Sequence, residues 1–210
     1  MADNCGCSIP EEPIDNGPRR RVLQIVLVLN LVGFILEFGM AWWAQSSALL
    51  ADSMDMIGDV LAYGFSLYVV SKSLVWRVRA AQLKGWIQFV FGVGVLIEVG
   101  RHAVYGIEPV SSLMLVAACG ALMLNLICAG LLMSFRHDDI NMKSVWLCSR
   151  NDVIGNLGVI AAAGLVYSTH SMWPDIIVGA LIGGLFLRTS FNVLREARAS
   201  NVQPSDQRQS

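Results

Sequence analysis

Asp55 and Asp59 stand four residues apart, and so do Cys148 and Asp152. Four residues is just over one helical turn, so each pair presents both side chains on one face of a helix. The first pair lies in SALLADSMDMIGDVLAYGFSL, residues 47–67, a stretch apolar enough to enter a bilayer that also carries Asp52. At roughly 100° per residue, Asp52, Asp55 and Asp59 fall within about 60° of one another. Each carboxylate costs on the order of 2.5–3.5 kcal/mol at the centre of a bilayer, so a stripe of three calls for a cation. The second pair has Asn156 one turn beyond Asp152. Three carboxylates and one thiolate, brought together, make a four-ligand metal site. Short bonds to such donors suit Zn²⁺, and the sulfur also favours Cd²⁺.

Whether two helices can bring these pairs together depends on depth. Counted from the inner helix ends, Asp59 and Asp55 lie about 17 and about 23 Å up, whereas Cys148 and Asp152 lie about 6 and about 12 Å up. The two sets of depths do not coincide; tilt and shifted helix ends would close most of the gap and let the pairs meet if the helices pack antiparallel. Arg150 is the nearest candidate to neutralise Asp152. It sits about 200° from Cys148 around the helix, so it is expected to point away from the Cys148/Asp152 face and to reach toward the cytoplasm.

The elements that must hold these residues are membrane spans. Of 210 residues, 55% are hydrophobic and 15% charged, against about 25% charged in a soluble domain, and mean hydropathy is +0.56. Apolar runs of membrane length cover residues 22–43, 47–70, 85–104, 110–135, 144–167 and 173–194, each near the ~20 residues that cross ~30 Å of hydrocarbon. The expected fold is all-α: a polytopic membrane protein with a bundle of six transmembrane helices, residues 22–194. It is flanked by a flexible cytoplasmic tail, 1–21, and a short cytoplasmic tail, 195–210. No apolar core segment marks the first twenty residues as a secretory signal. A net charge of −1 leaves no basic footprint for nucleic acid.

Lys and Arg set the orientation. Arg19, Arg20 and Arg21 precede the first span, Lys72, Arg77, Arg79 and Lys84 fill the second connection, Arg136 and Lys143 the fourth, and Arg188, Arg195, Arg198 and Arg208 the C-terminal end. Arg101 alone stands on the other side. Both termini are therefore expected in the cytoplasm, and a bacterial plasma (inner) membrane fits this arrangement. All six tryptophans fall at or near span ends, where indole rings anchor at the interface. The five cysteines are Cys5 and Cys7 in the tail and Cys119, Cys128 and Cys148 in spans, so a disulfide framework is not expected.

Other polar groups inside the spans have plainer readings. Asp52 could be an outer acceptor behind the ligands, an exit-path carboxylate or a structural hydrogen-bond partner. Glu37, Glu98 and Asn125 are expected to bond between helices. Cys5-Gly6-Cys7 could capture a soft metal, and His137-Asp138-Asp139 reads as a solvated loop. His102, His137 and His170 all lie near connections.

With these residues in place, the chain resembles the cation diffusion facilitator family of divalent metal/proton antiporters. SSALLADSMDMIGD, Asn125, NMKSVWLCSRNDVIGNLGV and WPDIIVG carry the resemblance, which extends over nearly all of residues 22–198. It implies an intramembrane metal site built from two paired motifs on the second and fifth helices, whose positions here are Asp55, Asp59, Cys148 and Asp152. Cys148 stands where the family pattern has His or Asp, which tilts preference toward softer ions. The resemblance also implies a homodimer. Many members carry a cytoplasmic metal-binding domain after the sixth helix, and the sixteen residues after Leu194 are too few to bury such a core; any dimer is then expected to be held through membrane helices or lipid.

The expected function is efflux of a divalent transition metal, Zn²⁺ or Cd²⁺, by alternating access coupled to proton antiport, with the metal as cargo and no cofactor. A membrane-embedded metal sensor or accessory protein that does not transport is the alternative. A metal-activated membrane enzyme is disfavoured, since four protein ligands leave no open position for water.

Overall fold

The structure, a computed structural model, describes residues 17–69, 74–135 and 140–202; within these the side chains of Cys148 and of stretches at helix ends, among them 65–69, 74–78, 140–145 and 196–202, lie outside the description. Six α-helices account for nearly all of it, with no strand among the described residues: α1 (Pro18–Ala44), α2 (Ser47–Val69), α3 (Leu74–Tyr105), α4 (Ser111–Met133), α5 (Ile140–Thr169) and α6 (Trp173–Val202). Five of them contain stretches long and apolar enough to cross a membrane. The remaining one, α2, has 23 residues. It has membrane length, but Asp52, Asp55 and Asp59 occupy its middle.

Most helix starts and ends agree with the hydropathy reading to within a few residues, except that α6 continues to Val202, eight residues past the span end expected at Leu194. The other exception is α3, which begins at Leu74 and not near Gly85. The basic stretch read as a connection is helical, because LVWRVRAAQLK contains no Gly or Pro and consists largely of residues with good helix propensity. Its Lys and Arg residues are compatible with a helix that extends past the hydrocarbon.

The packing is that of a bundle turned inside out. Large apolar side chains face outward on every side, among them Ile35, Val104, Tyr167 and Leu181. Inside, alanines dominate one large cluster: Ala41, Ala44, Ala48, Ala117, Ala118, Ala162 and Ala163, around Leu49, Met114, Val159 and Val166. Small residues let helix backbones approach where no hydrophobic effect separates protein from lipid. Trp42, Trp43, Trp86 and Trp173 are exposed, as interfacial anchors would be. Trp76 lies outside the described side chains.

The pairs α3 with α6, α4 with α5 and α1 with α2 are the most extensive, and α2 alone touches all five other helices. The element with the most carboxylates is therefore the centre of the bundle. Its position is fixed at one end by a tight corner. α1 ends at Gln45, whose φ of 52° is left-handed, and the next residue, Ser46, caps α2 by accepting the Leu49 N–H on its hydroxyl at 3.1 Å.

Candidate functional site

Asp175 completes that corner. It stands in the first turn of α6, after Trp173-Pro174, where a carboxylate would ordinarily serve its own helix dipole. Instead its side chain reaches the start of α2. Oδ1 accepts the Ser46 hydroxyl at 2.5 Å and the Ala48 N–H at 3.1 Å. Oδ2 accepts the Ser47 N–H at 2.8 Å and the Ser47 hydroxyl at 2.8 Å. Asp175 is fully buried. Four donors satisfy its charge, two of them otherwise orphaned amides at a helix N-terminus.

Deeper in the bundle, α2, α3, α5 and α6 enclose a cavity of about 470 Å³. Asp52, Asp55, Asp59 and Asp152 all line it, together with Lys84, Arg150 and Arg188 and apolar side chains including Phe91 and Phe186. Three of the four residues expected as ligands thus open onto one space. Asp59 is buried, Asp55 and Asp152 are half-buried, and each of the three engages a neighbouring group. Close packing of α2 on α5 helps form the wall, since a Cβ placed on Gly155 would stand 3.5 Å from Asp52 Oδ1. The carboxylates share the wall without converging: among the described residues no group of three or more His, Cys, Asp or Glu stands close enough to hold a metal ion. Cys148 falls on α5 but outside the described side chains.

One expectation is qualified, and another needs correction. Arg150 is exposed and its guanidinium lies over the Trp146 ring at 5.5 Å, one turn nearer the helix start as expected, though the residue also borders the cavity with Asp152. Its long side chain lets one part follow the helix surface while another borders the cavity. Glu98 does not bond between helices. It holds two neighbours on its own helix, Arg101 with Nε–Oε2 at 2.9 Å and His102 with Nε2–Oε1 at 3.0 Å.

The remaining polar groups fall around this frame. Asp52 is buried against α5 on one side and meets the Glu37 carboxyl of α1 on the other, a carboxyl–carboxyl hydrogen bond between helices as expected of Glu37. No N–H or hydroxyl of the described residues reaches Asp52 Oδ2 or the Glu37 oxygens. Asn30 donates to the Val26 carbonyl at 3.0 Å and faces the Cys128 sulfur at 3.9 Å. The Asn125 carbonyl accepts the Ser149 hydroxyl at 3.4 Å, joining α4 to α5. Asn156 donates to the Asp152 carbonyl at 2.9 Å on its own helix. Cys119 and Cys128 are free thiols. Cys5, Cys7 and His137-Asp138-Asp139 lie outside the described residues.

A helical membrane bundle with an acidic cavity between its central helix and three neighbours defines a class of ion-handling integral membrane proteins. The family model described as the cation efflux transmembrane domain matches residues 23–200, and the chain belongs to that family. It is 26% identical over 205 residues to the metal cation efflux system protein CzcD of Cupriavidus metallidurans, covering 89% of this chain and 65% of that protein. It is 25% identical over 214 residues to the cadmium, cobalt and zinc/H(+)-K(+) antiporter of Bacillus subtilis, covering 91% and 68%. With the zinc transporter ZitB of Yersinia pestis it shares 24% over 188 residues, covering 83% and 60%. The chain thus spans about 65% of the length of CzcD. Family and apolar helices together make it a multi-pass integral membrane protein.

Sequence patterns identified the acidic stripe but passed over two residues. Asp175 was visible only as part of WPDIIVG, and nothing near it in sequence names Ser46 and Ser47 as its partners. His102 lies at the end of α3 near a connection, yet it is 1% exposed.

Proposed function

We propose that this protein exports a divalent transition metal of the Zn²⁺/Cd²⁺ class across the membrane by alternating access, exchanging it for protons. The observation that carries this reading is the common cavity of Asp55, Asp59 and Asp152 on two facing helices. Carboxylates at that depth are stable only when neutralised, and a doubly charged ion or protons can do so in turn. Cys148, one turn before Asp152, supplies the fourth ligand when α5 and α2 draw together around the ion. Metal and proton compete for the same donor atoms, so each expels the other. That competition, not a separate coupling device, converts a proton gradient into metal movement. The metal is substrate, no chemical transformation is involved, and a homodimer held through membrane helices is the proposed assembly.

The names of the relatives support the metal class, since they include cadmium, cobalt and zinc. The test is metal binding by the purified protein in nanodiscs, followed calorimetrically. Zn²⁺ or Cd²⁺ is expected to bind the wild type, and Asp59→Asn and Asp152→Asn are each expected to abolish binding while leaving the helical fold intact. Full binding by both variants would remove these carboxylates from the site.

A further inference from the structure

A second buried cluster, at the opposite end of α3 from its basic stretch, is not used by the metal reading. His102 packs beside Asp175, at the junction of α3, α6 and the start of α2. Its Nε2 lies 3.0 Å from Glu98 Oε1. Glu98 also holds the Arg101 guanidinium, at 2.5 Å and 2.9 Å, so it is an ionised acceptor. Nε2 must therefore carry the ring proton and donate it to Glu98. The 3.4 Å approach of Arg101 Nη2 to Nε2 then sets donor against donor and adds no bond.

The other ring nitrogen is the informative one. Nδ1 is buried, has no hydrogen-bond partner among the described residues, and stands 4.0 Å from Asp175 Oδ2. In the neutral ring this atom is a bare lone pair turned toward a carboxylate. In the imidazolium it is an N–H donor facing the same carboxylate, and a closing movement of about 1 Å makes a charge-assisted hydrogen bond. The groups facing the ring are Glu98 and Arg101 from α3 and Asp175 from α6, while α2 contributes only the neutral Ser46 and Ser47 to Asp175.

We propose that His102 is a proton-binding site, distinct from the acidic cavity, whose charged form bridges Glu98 to Asp175 and so tightens the hold of α3 and α6 on the N-terminus of α2. By the distribution of Lys and Arg, this junction lies at the end of the bundle facing away from the cytoplasm. A proton arriving from that side is then bound where it bears on the helix that carries Asp55 and Asp59. The consequence for transport rests on the proton-coupled reading above; the proton site itself does not.

Backbone hydrogen exchange at Ser47, Ala48 and Leu49 of the metal-free protein in nanodiscs tests the site without any transport. After correction for intrinsic rates, protection is expected to be on the order of tenfold higher at about pH 5 than at about pH 9, the size of one charge-assisted bond. His102→Gln keeps a donor to Glu98 but cannot titrate, and its protection is expected to be flat. A wild type without the rise, or an unchanged rise in H102Q, overturns the proposal. If H102Q does not assemble, nitrogen NMR of a chain carrying His137→Gln and His170→Asn, in which His102 is the only histidine left of three, reads the ring directly. The ring is expected to be protonated on Nε2 alone at high pH and on both nitrogens at low pH. A ring protonated on Nδ1 alone, or one unchanged from about pH 5 to about pH 9, contradicts it. Because neither measurement uses metal, their failure and the failure of metal transport are separate results.

Discussion

The carboxylate of Asp175, in the first turn of α6, lies 2.8 Å from the backbone nitrogen of Ser47, in the first turn of α2. One side chain thus fixes the starting points of two helices, and the second of them carries the acidic stripe. Asp175→Ala leaves the Ser46 and Ser47 hydroxyls and two helix amides without their acceptor, with a loss on the order of 3 kcal/mol or more. Asp175→Asn keeps one acceptor oxygen and is expected to lose less. Unfolding midpoints in mild detergent, with the variants ranked wild type above D175N above D175A, check this.

The same junction is crowded from the other side. A Cβ on Gly179 would meet Ser47 Oγ at 2.9 Å, Ser47 C at 3.0 Å and Ala48 N at 3.1 Å, while one on Gly184 would meet nothing within 4 Å. Two of the atoms opposite Gly179 are backbone and cannot swing aside. Gly179→Ala is expected to destabilise by about 1–3 kcal/mol, and Gly184→Ala to leave the unfolding midpoint unchanged or higher. Paired thermal unfolding of the two variants measures the difference.

If Cys148 is a ligand, the metal it prefers depends on its sulfur. Cys148→His is expected to shift the ratio of cadmium to zinc affinity toward zinc, because imidazole is the harder donor. Competition binding with both ions on one preparation reads that ratio directly. An unchanged ratio would show that the thiol does not touch the ion.

Proton release gives an independent signature. An ordinary thiol ionises near pH 8.5, so a cysteine ligand must shed its proton when metal binds at neutral pH. Affinity in the wild type is therefore expected to fall about tenfold for each unit of acidification below that range. The sign is fixed: acid weakens binding. Cys148→Asp replaces the thiol by a carboxyl group, which gives up its proton more readily than a thiol in the same place, so the slope is expected to become shallower while the part due to Asp55, Asp59 and Asp152 remains. Titrations at several pH values, with wild type and C148D side by side, supply the measurement.

Much of this architecture was legible in the chain. Membrane helices announce themselves because ~20 consecutive positions must be predominantly apolar, and α2 was legible by its three departures from that rule at Asp52, Asp55 and Asp59. The apolar runs that open at Ser47 and Trp173 placed the starts of α2 and α6 to the residue. What escaped was long-range partnership. Asp175 serves an amide 128 positions away, and no local pattern encodes that pairing. Glu98 was misread because hydrogen bonding between helices is the common fate of a carboxylate in a span, whereas here Arg101 and His102 lie within one turn of it. The start of α3 lies earlier than hydropathy places it, because Lys and Arg lower hydropathy without ending a helix.

Zinc and cadmium flux in proteoliposomes under an imposed proton gradient tests the central claim most directly. Wild-type protein is expected to move metal opposite to protons, with flux collapsing when the gradient is dissipated and vanishing in Asp55→Asn, Asp59→Asn and Asp152→Asn. Metal that binds without crossing under any gradient, or undiminished flux in all three variants, would contradict the account.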